Sequence, residues 1–279
     1  MNLGKNLFKN LLVLLILVSF PTISIAQTGN NTSTNNMQKP LLGMGLGRNA
    51  AYCPFGASGN LASFVARMPA QPLSLKEKEG LIKMTEEEKL ARDVYQALYK
   101  KWRMPIFNMI AQTEQRHLET MRALLKKYNL KDPVEGLKSG EFKSNNMRTL
   151  YKKLVLMGNK SVIDALKVGD TIEDLDIHDL KLELRYTDNQ DIKVAYQNLL
   201  KGSRNHMRAF TRMLLRTGEN YTPKYISQKE FNAIINSSIE RGIYNADGTP
   251  MFRRPMMRRP GRRPLGTRGG GRGAGRGRM

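Results

Sequence analysis

The stretch PIFNMIAQTEQRHLETMRALLKKY, residues 105–128, decides the fold. Phe107, Ile110, Met121, Leu124 and Tyr128 recur at spacings that keep them on one face of a helix. Pro105 suits the first helical turn, where its missing N–H costs nothing. Two ionisable residues, Glu114 and His117, interrupt that apolar stripe. The same pattern recurs on both sides. Upstream, Leu81, Met84, Glu88, Ala91, Tyr95, Leu98 and Trp102 form a seam whose polar intruder is Glu88. Downstream, Val162, Leu166, Gly169, Glu173, Asp176 and Leu180 follow Ser161, a suitable N-cap. A fourth seam opens near Asp188 and reads Ile192, Tyr196, Leu199, Ser203, His206, Phe210 and Met213. Four long amphipathic helices predict an all-α four-helix bundle. Residues 147–157, with Leu150 and Leu154 inward, predict an extra helix in the long connection between the second and third.

The intruders carry the chemistry. Stripping water from a lone carboxylate costs several kcal/mol, so such residues are rare in a core unless a cation compensates. Glu114 and His117, three residues apart, can reach one metal ion from adjacent turns, and Glu173 and Asp176 repeat the spacing with two carboxylates. Oxygen and imidazole donors without sulfur suit iron, manganese or zinc. Each residue also has an ordinary reading. Glu88 could be the far half of a capping box begun by Thr85, although the apolar seam extends back to Leu81. Glu114 and His117 could be an exposed pair on a rotated helix. Glu173 and Asp176 lie in a run with Asp174 and Asp179, and such a run is usually a solvated face. His206 could be a hydrogen-bonded core histidine. His178 lies off the seam and is expected at the surface.

The segments EEEKLARDVYQALYKKW (86–102), TEQRH (113–117), IEDLDIHDL (172–180) and GSRNHMRAF (202–210) resemble the ferritin-like superfamily of rubrerythrins and ferritins. More closely, they resemble an uncharacterised, domain-of-unknown-function branch of it. The resemblance covers roughly residues 75–235. It implies a di-iron carboxylate site with Glu88 as a terminal ligand, Glu114 as a bridge and His117 as a terminal ligand. Glu173 would be the terminal ligand of the second ion, with His206 beside it, and Asp176 resembles the extra carboxylate of rubrerythrins. Tyr95, seven residues after Glu88, is the candidate catalytic side chain, placed to hydrogen-bond a ligand carboxylate. One departure stands out: Ser203 occupies the position of the second bridging glutamate, which leaves open whether one or two ions bind. The implied reaction class is ferrous oxidation or peroxide reduction, with electrons from the ferrous ions or an outside donor.

The rest of the chain is organised around this domain. Of 279 residues, 46 are Lys or Arg and 24 are Asp or Glu, a net charge of +22. Residues 1–74 hold five basic residues and no acid, and residues 251–279 hold ten arginines and no acid. Lys5 and Lys9, the apolar run Leu11 to Val18, and Ser24-Ile25-Ala26 describe a signal peptide over residues 1–26, predicting a periplasmic or extracellular protein without a transmembrane span. Residues 27–73 read as a low-complexity linker containing Cys53, the sole cysteine, which excludes a disulfide framework. The helical domain is expected over 74–245. The Arg/Gly-rich tail over 246–279 is expected to be disordered and to bind polyanions by counterion release: envelope polymer, lipid headgroups or extracellular nucleic acid. That reading offers an alternative function, a non-enzymatic polyanion-binding protein whose bundle is a scaffold. The flanks would crowd a closed ferritin-type shell; a homodimer is compatible with the sequence.

Overall fold

A computed structural model describes residues 60–251 of the chain. The expected signal peptide, Cys53 and the Arg/Gly run beyond 251 lie outside them. The described residues form seven helices: α1 (Leu61–Arg67), α2 (Leu75–Trp102), α3 (Pro105–Lys127), α4 (Asn145–Gly158), α5 (Val162–Glu183), α6 (Gln190–Arg216) and α7 (Gln228–Ile235). Among the described residues there is no strand, only an isolated bridge between Tyr244 and Pro250. No helix there is long and apolar enough to cross a membrane.

Local chemistry sets the helix ends. α2 begins at a capping box, in which Ser74 Oγ accepts from the Glu77 amide and the Glu77 carboxylate accepts from the Ser74 amide. This places the start, Leu75, thirteen residues before Glu88, so the Thr85 capping box does not form. Thr85 instead donates to the Leu81 carbonyl inside the helix. α3 starts on Pro105 at its first turn, and Ser161 caps α5, both as expected. Arg103, at φ 55°, makes the left-handed turn that folds α3 back from α2 within two residues. One element falls inside the segment read as linker: α1, capped by Asn60, buries Leu61 and Val65. Lys127 ties its end down by donating to the Val65 and Met68 carbonyls at 3.1 and 2.7 Å.

The four long helices pack α2 on α3, α5 on α6, α2 on α5 and α3 on α6, so each has two long neighbours. Their facing stripes merge in a core that includes Leu81, Leu98, Phe107, Leu124, Leu199 and Phe210. Each such side chain contributes about 1.5–3 kcal/mol on burial. α4 lies across α2 and α5, and Trp102 donates to the Gly158 carbonyl at its end. This cover explains why α2 and α5 are buried nearly all round at mid-length. The acidic run on α5 is therefore internal. Asp174 accepts from the Tyr221 hydroxyl and from the amides of Lys224, Tyr225 and Ile226, pinning the segment before α7. Asp179 is 1% exposed and pairs with Lys83 at 3.2 Å. His178 is exposed, as expected, and its ring sits 2.9 Å from Asp179.

Candidate metal centre

Mid-way along the four long helices, the seam intruders converge. Glu88 comes from α2, Glu114 and His117 from α3, Glu173 from α5 and His206 from α6, and all five are buried. His117 Nδ1 lies 2.7 Å from Glu114 and 3.3 Å from Glu88. His206 Nδ1 lies 2.8 Å from the other Glu114 oxygen and 3.5 Å from Glu173. The result is two groups of three, Glu88–Glu114–His117 and Glu114–Glu173–His206, with donor atoms within 4.8 Å of one another and Glu114 common to both. The two imidazoles face each other with centroids 5.8 Å apart.

These contacts are close without being hydrogen bonds. Both Glu88 oxygens, Glu114 Oε1 and the Nδ1 atoms of His117 and His206 are buried and lack a hydrogen-bond partner. Buried polar atoms are nearly always paired, because an orphan forfeits its hydration without return. A cation among them would satisfy all of these atoms. The donors are carboxylate and imidazole, the set that suits iron, manganese or zinc, and three per group leaves coordination positions open.

The electrostatics follow from burial and mutual proximity. Burial pushes Glu88 up to about 7, partly offset by His117. Burial would raise Glu114 as well, but His206 and His117 on either side outweigh it and hold the carboxyl well below the usual range. Burial disfavours the charged form of His117, yet Glu88 and Glu114 raise it to about 10. His206 is likewise driven well up, against burial, by Glu114 and Glu173. Without metal, two imidazolium rings therefore supply the positive charge that balances the carboxylates.

Neighbouring residues position these side chains. Tyr95 donates to Glu173 at 2.5 Å and lies 3.3 Å from the Gly169 carbonyl. Phe210 packs on Tyr95, 5.3 Å between ring centroids, and can do so because residue 169 is glycine: a Cβ there would lie 2.7 Å from the Phe210 ring. Gly202 does the same for the centre itself, since a Cβ would meet His117 Cε1 at 2.5 Å. Asp176 belongs to neither group of three. Its carboxylate accepts a short hydrogen bond from Ser203, so the two residues that depart from the glutamate–histidine pattern contact each other. Burial and the carboxylates of Glu88 and Glu173 push Asp176 far up.

Two residues at the site escaped the sequence reading. Gly202 carried a signal: a glycine inside a helix costs about 1 kcal/mol and usually has a packing reason. Glu87 carried none. Beside Glu88 in an acidic triplet it looks solvated, but it is 6% exposed and faces Lys83 at 4.0 Å.

Residues 77–238 match the model of an uncharacterised protein domain, DUF2202. The chain is similar to the uncharacterised protein MJ0754 of Methanocaldococcus jannaschii, 57% identical over 183 residues, which are 66% of this chain and 99% of that protein. It is also similar to a solved structure, the crystal structure of hypothetical protein MJ0754 from Methanococcus jannaschii. There the identity is 59% and the TM-score 0.61, covering 62% of this chain and 99% of that one. The helical domain, with its buried cluster of carboxylates and histidines, belongs to the DUF2202 family.

Proposed function

We propose that this chain is an exported, ferritin-like four-helix protein, with α4 as the extra helix, that binds two metal ions and oxidises ferrous iron. The observation that carries the reading is the pair of buried donor groups sharing Glu114. Glu88 and His117 would hold one ion and Glu173 and His206 the other, with Glu114 within reach of both. Two ferrous ions bound there would supply two electrons, enough with two protons to reduce one dioxygen to hydrogen peroxide, or one hydrogen peroxide to two waters.

The chain's own residues do the rest. Carboxylate donors offset the ionic charge and favour the ferric state. Tyr95 holds Glu173 in one orientation through its hydroxyl. Gly202 lets the His117 ring lie against α6. The histidines give up protons when an ion enters, since a ligating imidazole nitrogen must be unprotonated. Asp176, hydrogen-bonded to Ser203, supplies a carboxyl beside the second ion in place of a second bridging glutamate.

The test is elemental analysis after anaerobic ferrous loading and desalting, with Glu114→Ala alongside. Two irons per chain, lost in the variant, are expected. One iron would mean that Ser203 and Asp176 do not replace the second bridge. Iron no higher than in the variant would refute the reading.

A further inference from the structure

On the side of the centre away from the imidazoles, a pocket opens between α2, α4 and α5. Ala91, Leu150, Leu154 and Ile172 form its walls, Asp176 lines it towards the centre, and Tyr225 is its half-exposed lining residue. The cavity volume is about 20 Å³, against the ~10–15 Å³ that one water needs. We infer that this pocket holds dioxygen and delivers it to the metal centre past Asp176.

Three observations select that occupant. The size admits one small molecule and no organic substrate. The walls are almost wholly apolar, so an ion passing through would lose its hydration shell without replacement. Hydrogen peroxide would likewise give up hydrogen bonds to water. Dioxygen makes none to lose, and small apolar cavities are known to bind apolar gases. At the inner end Asp176 is engaged by the Ser203 hydroxyl, and Glu87, whose oxygens have no hydrogen-bond partner, faces the Lys83 ammonium at 4.0 Å. Neither belongs to a group of three donors that could trap a cation on the way. Asp176 is next to the centre: it stands one turn from Glu173 on α5 and accepts from Ser203, one turn before His206 on α6. α4 completes the pocket, which gives the helix between the second and third long helices a purpose beyond cover.

The delivery step rests on the proposed metal centre; the gas site does not. Xenon is the probe for the pocket. Crystals of the metal-free chain under xenon pressure should show one atom against Ala91, Leu150 and Leu154, and Ala91→Val should remove it. No xenon there would overturn the gas site. Stopped-flow oxidation of the ferrous-loaded chain tests delivery. Ala91→Val should slow the reaction with dioxygen roughly tenfold, the penalty expected for forcing a molecule into an over-packed space. The rate with hydrogen peroxide should be unchanged. Leu154→Phe plugs the pocket from α4 and should behave alike. An unchanged dioxygen rate, or equal slowing with both oxidants, would overturn delivery with iron content intact. Absence of iron would instead sink the metal reading, leaving the xenon result to decide the gas site.

Discussion

Metal binding at this centre should release protons, and the amount is calculable. In the metal-free chain His117 is raised to about 10 by Glu88 and Glu114 working against burial. At pH 7 its proton lies three units below that value, so displacing it costs about 4 kcal/mol, at 1.36 kcal/mol per unit. His206, also driven up, adds a second proton. Glu88, at about 7, is half-protonated near neutrality and adds a fraction of a third. Apparent affinity should therefore rise with pH, roughly tenfold per unit for each proton released, up to the raised histidine values. Anaerobic ferrous titration by calorimetry, from about pH 6 to about 8 and in buffers of different ionisation enthalpy, reads both slope and proton count. The metal-free fold should change in the opposite sense. His117 binds its proton more tightly folded than unfolded, so its contribution is complete below 6.5 and is lost as pH rises through about 10. Glu88 contributes below 4.5 and loses that as pH passes about 7. An affinity flat across this range, with no buffer-dependent heat, would refute the assignment of these histidines as charged rings that ions displace.

Three further outcomes follow from the packing. Gly202→Ala should leave the fold intact but push His117 off its carboxylates, weakening metal affinity by about 10–100-fold, read by competition with a chelator. Asp174→Ala strands the amides of residues 224–226 and the Tyr221 hydroxyl, and should lower unfolding free energy by about 3 kcal/mol or more, measured by urea denaturation. A loss below about 1 kcal/mol would show that the carboxylate does not pin that segment. Tyr95→Phe should retain both metal ions while costing about 1–3 kcal/mol of stability, since the Glu173 oxygen loses its donor. Loss of metal in that variant would mean the hydroxyl does more than orient Glu173.

Much of the site was legible because helix periodicity converts residue spacing into direction. Glu88, Glu114, His117, Glu173 and His206 each stand in an apolar stripe, and a stripe must face the core, so their burial follows from sequence. Their meeting does not. Spacing gives the face of each helix but not the height at which four helices align. Only packing shows that Glu114 touches both histidines with its two oxygens. Asp176 illustrates the limit. Its position on the seam put it inside, but only packing shows that it stands outside both groups of three and accepts from Ser203, 27 residues away.

The sequence by itself determined the helical class, the faces turned inward and the residue types available to a cation, because these depend on local periodicity and on the cost of burying charge. Tertiary structure alone decided what depends on distant elements meeting. The acidic run on α5 is internal because α4 and residues 221–226 cover it. Asp174 holds a loop rather than an ion, Gly202 makes room for a ring, and a small apolar pocket opens beside the centre. Each is a contact between segments tens of residues apart, and no local pattern encodes it.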